Sequence, residues 1–557
     1  MDLPHCLWII FIILTTARTD SLLFPLYRRN TREDILGAVL TGLDANNLRF
    51  SHNLSGLPGR GYYLTVGLGT PAQPISLLLD TGSSDLAVAG QKLPNVDRWF
   101  HKNLSATLQP SAYEQHVRYQ RGSWSGQLCS DVLRFPSAVA FRSNESAVNK
   151  TDLRAHFALI YKARDFFVPH NGSSWEGIAG LGFHSLSVFP TPLGQKPVKP
   201  ARGFIHSGWE YVKGLLSPSV ARPHGLFDDL VNYWKVPDVF SLLLCGSAEL
   251  GQPQTQPTNL SSPRAGGLFL AGSGNMSSAF PGQLLTSGSV YYTPVRQKWY
   301  YEIVMIDILV QAESVISECK ELNFDKTIVD SGTTNIHLPG RVFSPLLSSI
   351  QGYVSAQVRA NNLDLVLTEG FWLGKSLFCE PAEEGTTIGG RAGLPYVLFP
   401  PVEFQLQSSA NTVLSVILSP QQYLRYIGRI ANSNTRRDCF AFGIQSTRLG
   451  SVLGSVFLEG YFTVFDRARL QVGFANSTCN RYSSVSQLPV SQVNGIRKTW
   501  RTDLSECAFH RPVTPPLIER VLAISLFVSL FSMVVPLFFA PIFCILSNFT
   551  EDFDKAD

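Results

Sequence analysis

The sequence predicts a mainly β protein with more than one globular unit. The chain has 557 residues, more than a single hydrophobic core organises, so two or more units are expected. Its short apolar or alternating segments, which are typical of strands, are separated by turns rich in its 44 glycines and 34 prolines. Residues 227–234 and 341–358 are predicted to be helices, and residues 190–223 and 247–267 to be surface loops.

The composition limits the class of partner. Lys and Arg number 46 against 42 Asp and Glu, a net charge of +4 without a long basic run, which argues against a nucleic-acid partner. Hydrophobic residues make up 45% of the chain, which excludes intrinsic disorder for most of it. The 9 cysteines are too few for a disulfide scaffold but enough for a few bridges.

The two ends of the chain predict secretion and membrane insertion. An apolar run over 7–14, followed by small polar residues, indicates a signal peptide over residues 1–20, with a buried core helix as the alternative. Residues 521–546 carry no charge and are numerous enough for one transmembrane helix. We therefore expect a cytoplasmic tail over 547–557, although its acidic charge departs from the positive-inside rule. A cleaved signal for a lipid anchor is the other interpretation of this end.

Glycosylation motifs agree with a lumenal or extracellular main body. Each Asn-x-Ser/Thr motif is a weak signal alone, because the tripeptide is common by chance. The predicted acceptors are Asn103, Asn144, Asn149, Asn171, Asn259, Asn275 and Asn476. Together with the two ends, they predict a single-pass type I membrane protein of the secretory or endosomal pathway or the cell surface.

The central region contains one pattern twice. An apolar segment leads to the acid turn 80–83 (Asp-Thr-Gly-Ser), and another leads to the acid turn 330–333 (Asp-Ser-Gly-Thr). Each acid turn is followed downstream by an apolar segment that ends in glycine, at 175–180 and at 451–454. One such triplet at a strand end would most often be an ordinary turn, but the duplication and the matched context argue against chance.

Paired acid turns suit hydrolysis by an activated water. Two carboxyl groups held in near contact cannot both ionise, because the charge of one raises the pKa of the other. They share a proton, so that one can deprotonate a water while its protonated partner polarises a carbonyl group. We predict Asp80 and Asp330 as the catalytic pair, without a metal or an organic cofactor. Backbone N–H groups and hydroxyls that could hold the two carboxyls come from Gly82, Ser83, Gly332 and Thr333.

The chain resembles the pepsin family of aspartic proteases and, within it, the membrane-anchored beta-secretase branch. The resemblance covers residues 59–507, and besides the acid turns it rests on the segments 61–63, 172–178, 299–302, 370–374, 420–424 and 465–469. It implies a bilobal, mainly β, pepsin-like aspartic protease fold whose two lobes, 60–290 and 291–510, bring the acids together at the floor of a cleft. It also implies a prosegment over 21–59, for which a disordered linker is the alternative.

The same resemblance implies a flap that closes over the substrate. It assigns the flap tyrosine to Tyr119 and the hydrogen-bond partner of that tyrosine to Trp124; the residues alone would favour an exposed hairpin aromatic at Tyr119. The other substrate-binding residues that it implies are Gln120, Arg121, Asn335 and His337. At three of these positions, 120, 121 and 337, the beta-secretase branch has other residues, so the side-chain preference near the cleavage point does not follow from the resemblance.

Six cysteines also match the family. The disulfides that the resemblance implies are Cys245–Cys479, Cys319–Cys507 and Cys379–Cys439, whereas the sequence alone leaves the pairing open. Cys129 is left over, and a buried small residue is favoured there over a reactive thiol. The chain has no Cys-x-x-Cys motif or matched histidine cluster, so no metal site is expected.

The predicted function is that of a membrane-anchored aspartic endopeptidase. Its expected substrates are polypeptides, in particular lumenal or extracellular segments of other membrane proteins, and its expected compartment is acidic. Two other functions stay open: a tethered digestive or lysosomal protease of broad specificity, and a catalytically silent binding receptor of the same fold. The presence of both acids and of both hydroxyl residues argues against the silent receptor.

Overall fold

The computed structural model describes most of the chain between residues 61 and 508. The described residues are 22–27, 61–119, 122–135, 139–140, 152–167, 175–194, 222–234, 238–244, 264–270, 289–381, 394–432, 435–476, 491–499, 504–508, 525 and 528–529. The predicted signal peptide, the predicted tail and nearly all of the predicted membrane span lie outside them. In the described part of the chain, no helix is long and apolar enough to cross a membrane. The chain forms two compact units, Met1–Phe509 and His510–Asp557.

Strands dominate the first unit, which confirms the mainly β prediction. Up to residue 294 they are β1 (Leu22–Tyr27), β2 (Tyr63–Leu68), β3 (Gln73–Asp80), β4 (Leu86–Ala89), β5 (Gln109–Arg118), β6 (Ser123–Arg134), β7 (Val139–Ala140), β8 (Asp152–Arg164), β9 (Gly177–Gly180), β10 (Thr191–Pro192), β11 (Val239–Leu244), β12 (Arg264–Leu270) and β13 (Tyr291–Pro294). Beyond it they are β14 (Met305–Val310), β15 (Glu313–Ser314), β16 (Thr327–Val329), β17 (Ile336–Pro339), β18 (Phe378–Pro381), β19 (Val402–Gln407), β20 (Thr412–Leu418), β21 (Leu424–Asn432), β22 (Thr435–Phe442), β23 (Ile444–Thr447), β24 (Ser451–Leu453), β25 (Tyr461–Asp466), β26 (Gln471–Asn476) and β27 (Gln492–Lys498).

Helices are few among the described residues. They are α1 (Leu226–Trp234), α2 (Cys319–Leu322), α3 (Gly340–Ala360), α4 (Glu369–Trp372), α5 (Leu394–Val397), α6 (Pro420–Tyr423) and α7 (Ser455–Leu458), with 3-10 turns at Lys102–Leu104, His184–Leu186 and Ser505–Cys507. The helices α1 and α3 correspond to the two that the sequence predicts. In α3 the buried residues Val342, Leu346, Ile350 and Val354 recur every fourth position, so one face of the helix packs on the core.

One large sheet joins the two halves of the chain. Its strands lie in the order β10-β5-β6-β8-β4-β9-β3-β2-β1-β12-β11-β25-β26-β13, and β7 also pairs with β1. The strand β1, at the start of the predicted prosegment, therefore lies between β2 and β12. The strands β11 and β25, one from each half, are paired, and the rings of Phe240 and Phe465 stack across this pair with centroids 4.8 Å apart. The smaller sheets are β15-β14-β19-β20-β27, β16-β24-β17-β23 and β18-β22-β21.

The loop predictions are wrong where strands interrupt them. Thr191–Pro192 forms β10 against β5, and the first residues of β12 fall inside the second predicted loop. The backbone of β12 pairs with β1 on one side and with β11 on the other. Such backbone pairing between distant segments leaves no local signal in a stretch rich in glycine and polar residues.

The repeat seen in the sequence is a repeat of strand topology. The strand β3 runs parallel to β9, while β4 runs antiparallel to β9 and parallel to β8. In the second half β16 runs parallel to β24, while β17 runs antiparallel to β24 and parallel to β23. Each acid turn thus leaves a buried strand whose parallel neighbour is the apolar segment that ends in glycine.

Two of the three implied disulfides fall within the described residues and are present. Cys319 is bonded to Cys507, and Cys379 to Cys439, while both members of the third pair lie outside the described residues. Cys129 is free and only 4% exposed, as expected of a buried small residue. Burial raises the pKa of the Cys129 thiol to about 11, which argues against a reactive thiolate.

Candidate active site

The two predicted catalytic acids lie at corresponding places in the two halves. Asp80 is the last residue of β3, and its carbonyl accepts the Leu181 N–H, which follows β9, at 2.7 Å. Asp330 directly follows β16, and its N–H donates to the carbonyl of Leu453 in β24 at 3.0 Å. In each half, therefore, the apolar segment that ends in glycine holds the backbone of the acid.

The second residues of the two acid turns lock the turns together. The Thr81 N–H donates to Ser331 Oγ at 3.1 Å, and the Ser331 N–H donates to Thr81 Oγ1 at 2.9 Å. The Thr81 hydroxyl then donates to the Val329 carbonyl at 3.0 Å, and the Ser331 hydroxyl to the Leu79 carbonyl at 2.8 Å. Both residues are buried, so each hydroxyl donates once and accepts once where no water competes.

These hydrogen bonds between the turns place the carboxyl of each acid against the glycine of the opposite turn. A Cβ atom added to Gly82 would lie 2.6 Å from the carboxyl carbon of Asp330, and one added to Gly332 would lie 2.6 Å from that of Asp80. Real side chains do not approach so closely, so both positions require glycine for a steric reason. The two acids, distant along the chain, therefore face each other across the pair of glycines.

Each carboxyl accepts hydrogen bonds from its own turn. Gly82 N–H donates to Asp80 Oδ1 at 2.8 Å, and the Ser83 hydroxyl donates to Asp80 Oδ2 at 2.5 Å. In the second turn, the Gly332 N–H donates to Asp330 Oδ1 at 2.9 Å, and the Thr333 hydroxyl donates to Asp330 Oδ2 at 2.6 Å. The four predicted supporting residues thus orient the two carboxyls in matching fashion.

The surroundings favour a single proton on the pair. Asp80 and Asp330 are only 6% and 8% exposed. Burial, and then the charge of Asp330, raise the pKa of Asp80 well above its ordinary value, against the lowering effect of the Ser83 hydroxyl. The pair therefore keeps a proton at pH values where isolated carboxyl groups have lost theirs.

The predicted flap residues lie on the hairpin of β5 and β6. The Trp124 indole N–H donates to the Tyr119 hydroxyl at 3.2 Å, and the Tyr119 ring stacks on Phe166 at 5.5 Å between centroids. Tyr119 is therefore half-buried and packed, unlike an exposed hairpin aromatic. Burial, followed by the charges of Asp80 and Asp85, raises the pKa of Tyr119, so its hydroxyl stays neutral and available as a donor. Gln120 and Arg121 lie outside the described residues.

The other two implied substrate-binding residues lie beyond the second acid turn. The Asn335 side chain is fully buried, and its Oδ1 accepts an N–H from the Arg425 guanidinium at 3.0 Å. Asn335 is thus held inside the protein. His337 lies in β17, half-buried, opposite Val452 of β24.

Two of the predicted acceptor asparagines fall within the described residues. Asn103 is exposed in the 3-10 turn Lys102–Leu104, as an acceptor must be. Asn476 is half-buried at the end of β26, where its Oδ1 accepts the Val493 N–H at 2.7 Å. The remaining five motifs lie outside the described residues.

The sequence interpretation missed the structural role of Thr81 and Ser331. A signal was available, because the second position of both turns carries a hydroxyl residue just as the fourth position does. It also passed over Asp85, a third buried carboxyl two positions after Ser83. Nothing local marks Asp85, since its partners come from distant segments.

Comparisons with known proteins give the family. The family model described as "Eukaryotic aspartyl protease" matches residues 61–193 and 281–477, which include both acid turns. The chain is 32% identical to "Beta-secretase" of Strongylocentrotus purpuratus over 507 residues, 89% of this chain and 82% of the relative. It belongs to the eukaryotic aspartyl proteases.

More distant members of the family match the same region. The chain is 24% identical to "Pepsin II-1" of Oryctolagus cuniculus over 74% of this chain and 80% of the relative. It is also 24% identical to "Pepsin A" of Bos taurus over 74% of this chain and 83% of the relative. This aspartyl protease is therefore an endopeptidase of the pepsin family that is similar to beta-secretase, and its substrates are polypeptides.

The raised pKa of Asp80 predicts a pH dependence of stability. A group whose pKa is higher in the folded than in the unfolded state stabilises the fold at low pH, and that stability is lost as pH rises through the folded pKa. Asp80→Asn removes this loss, so the free energy of unfolding of the variant should rise relative to that of the wild type as the pH increases above about 4, the ordinary pKa of a carboxyl group.

Denaturant titrations of the full-length protein at several pH values measure this effect. The control is Asp165→Asn, which replaces a carboxyl that is 81% exposed and should leave the pH dependence unchanged. A constant difference between Asp80→Asn and the wild type at every pH would contradict the prediction.

Proposed function

We propose that this aspartyl protease is a membrane-anchored, beta-secretase-like endopeptidase that hydrolyses peptide bonds with one water held between Asp80 and Asp330. The observation that carries the catalytic part is the mutual approach of the acid turns, in which each glycine lies against the carboxyl of the other turn. Two buried carboxyls in this arrangement form a site for a water and for one shared proton.

The proposed reaction uses the two carboxyls in opposite protonation states. In the proposal Asp80 holds the shared proton and donates it toward the oxygen of the scissile carbonyl. The Asp330 carboxylate takes a proton from the water as the water oxygen attacks the carbonyl carbon. The C–N bond of the tetrahedral intermediate then breaks: the proton on Asp330 passes to the leaving amine, and one hydroxyl of the intermediate returns its proton to Asp80 as the new carbonyl forms. Both carboxyls end with one proton between them, as they began.

In this proposal the flap orders the substrate above the two acids. A neutral Tyr119 hydroxyl, held by the Trp124 indole, can donate to the substrate backbone and exclude water from the cleft. Gln120, Arg121, Asn335 and His337 are proposed to shape the side-chain preference around it. For Asn335 this role runs through Arg425, because the Asn335 side chain is buried.

The proposed location follows from the ends of the chain and from the relative. The uncharged residues 521–546, the signal-like residues 1–20 and the sequons support a type I protein of the secretory pathway with its catalytic part on the lumenal or extracellular side. The similarity to "Beta-secretase" supports membrane proteins as the substrate class. Residues 21–59 are proposed as an inhibitory prosegment.

Replacing either acid tests the catalytic proposal. Asp80→Asn and Asp330→Asn should each lower kcat/KM on a fluorogenic peptide by about 10²- to 10⁴-fold, because each removes the acid or the base of the reaction. The measurement uses the full-length protein in detergent. Asp165→Asn serves as the matched control and should keep wild-type activity. Retention of activity in either dyad variant would sink the shared-proton mechanism.

Cleavage mapping on a mixed peptide library tests the substrate class. A selective endopeptidase should cut a small set of related sequences, whereas a broad digestive enzyme should cut many peptides at unrelated sites. Reaction mixtures of the full-length protein are analysed by mass spectrometry, with Asp80→Asn as the blank. Cleavage without sequence preference would favour the broad protease over the beta-secretase-like proposal.

Alkaline extraction of cell membranes tests the anchor. The full-length chain should stay in the membrane pellet, because an uncharged segment of this length is stable across the hydrocarbon core. The double variant Leu530→Arg, Val534→Arg should move to the soluble fraction, since each charge at the centre of a span costs about 3 kcal/mol. Lys555→Arg, beyond the segment, is the control. Extraction of the wild-type chain by alkali would contradict the anchor.

A further inference from the structure

Asp85 is a buried carboxyl that the proposed reaction does not use. It lies between the first acid turn and β4, is 5% exposed, and its carbonyl accepts the Gly180 N–H at 3.0 Å. Burial of an ionised carboxyl lowers the stability of the fold unless hydrogen bonds replace the lost hydration. The hydrogen-bond partners of Asp85 show which segments its carboxyl connects.

The carboxyl of Asp85 joins three segments of the protein. Its Oδ1 accepts the Ser187 hydroxyl at 2.6 Å and the Gln115 side-chain amide at 3.3 Å. Gln115 also donates to the Val188 carbonyl at 2.8 Å. The partners of Asp85 therefore come from β5, which leads into the flap, and from the segment 187–188.

The segment that carries Ser187 also holds the acid turn. The Leu181 N–H donates to the Asp80 carbonyl and the Gly182 N–H donates to the Ser83 carbonyl, both at 2.7 Å. The acid turn, the segment 181–188 and the base of the flap strand thus form one connected unit. A change in the hydrogen bonds of Asp85 acts on all three.

The strand β5 transmits that contact to Tyr119. Alternate residues of a strand point to the same side, so Gln115 and Val117 share one face of β5, and Tyr119 directly follows the end of the strand at the next alternate position. Val117 and Tyr119 pack in one apolar cluster with Trp124 and Phe166. Four residues of extended chain cover roughly 13 Å, which places the anchor at Gln115 well behind the tyrosine that closes over the substrate.

The charge of Asp85 also affects the pKa of Tyr119 in the predicted flap. Burial raises the pKa of Asp85, whereas the hydrogen bonds from Ser187, from Gln115 and from the Val188 N–H, and the charge of His184, lower it. Directly after β5 lies Tyr119, whose pKa the charge of Asp85 helps to raise. In α1, which begins beside the acid turn, Asp228 pairs with Arg467, and Asp229 lies 3.7 Å from His156 and 3.7 Å from His224.

We propose that Asp85 is a positioning residue for the flap: its ionised carboxylate, through Gln115 and Ser187, fixes β5, the strand that ends directly before Tyr119, and so tightens substrate binding. A carboxylate accepts every one of these hydrogen bonds, and bonds to an ionised acceptor are about twice as strong as neutral ones. A protonated carboxyl must turn one oxygen into a donor, which weakens the hold on Gln115. The role in binding rests on the proposed function of the flap.

The variant Asp85→Asn tests this role, because it keeps the shape and one acceptor oxygen but cannot ionise. We expect KM equal to that of the wild type at the acid end of the pH range, where the wild-type carboxyl is also neutral. At pH values above the pKa of Asp85, KM of the variant should be about 3- to 10-fold higher, with kcat little changed, as expected for loss of a charge-assisted hydrogen bond. The assay uses the full-length protein on one fluorogenic peptide at closely spaced pH values.

A matched control separates this role from the loss of any buried carboxylate. Asp131 is 0% exposed and accepts the Ser105 and Thr107 hydroxyls at 2.7 and 2.6 Å, away from the flap tyrosine. Asp131→Asn should keep the wild-type dependence of KM on pH, whatever it does to stability. A KM ratio for Asp85→Asn that is the same at every pH, or an equal pH-dependent rise in Asp131→Asn, overturns the proposal.

A second variant covers the case in which Asp85→Asn does not fold. Gln115→Leu leaves the carboxyl but cuts its link to the flap strand, and should raise KM over the same pH range. In the double variant the two effects should not add, because both remove one connection. Additive effects, or an unchanged KM in Gln115→Leu, overturn the proposal. Asp80→Asn is assayed in parallel: activity at the wild-type level in that variant refutes the catalytic proposal, whereas the pH dependence of KM in Asp85→Asn tests the role of Asp85 by itself.

Discussion

Two buried carboxyl groups are held against each other in this protein although their charges repel. The hydrogen bonds between Thr81 and Ser331 oppose that repulsion, since each residue donates to and accepts from the other turn. Both hydroxyls are buried, so no water can replace a lost partner. Separation of the two turns would therefore leave several polar groups without hydrogen bonds. The strands that flank the two turns determine where the turns meet.

The duplicated strand topology explains how the two turns arrive there in the same geometry. In each half the acid strand runs beside a parallel strand that ends in glycine, and the return strand crosses on the other side of that neighbour. Each half therefore presents a backbone-held acid at the end of a buried strand. The large sheet, which pairs β11 with β25, fixes the two halves in register, so that a similarity of local structure becomes a pair of facing carboxyls.

The protonation states at the candidate site follow from burial more than from any single residue. Burial and the neighbouring charge raise the pKa of Asp80, and burial raises the pKa of both Asp85 and Tyr119. The proposed site thus combines two facing carboxyls, a neutral phenol at Tyr119, and a further buried carboxyl between the first acid turn and β4. These groups form one electrostatically coupled set, because Tyr119 feels the charges of both Asp80 and Asp85.

Much of the site could be read from local sequence. The acid turns, their glycines and hydroxyls, the mainly β composition and the two longer helices each depend on neighbouring residues or on short periodic patterns, and the structure has them where the sequence predicts them. Other features depend on partners far along the chain. Only the tertiary structure gives Thr81 its partner Ser331, gives Asp85 its contacts with Gln115 and Ser187, and turns the polar, glycine-rich start of β12 into a strand between β1 and β11. The physical reason is that hydrophobic period and turn chemistry are properties of adjacent residues, whereas hydrogen-bond partnership and burial are decided when distant segments pack.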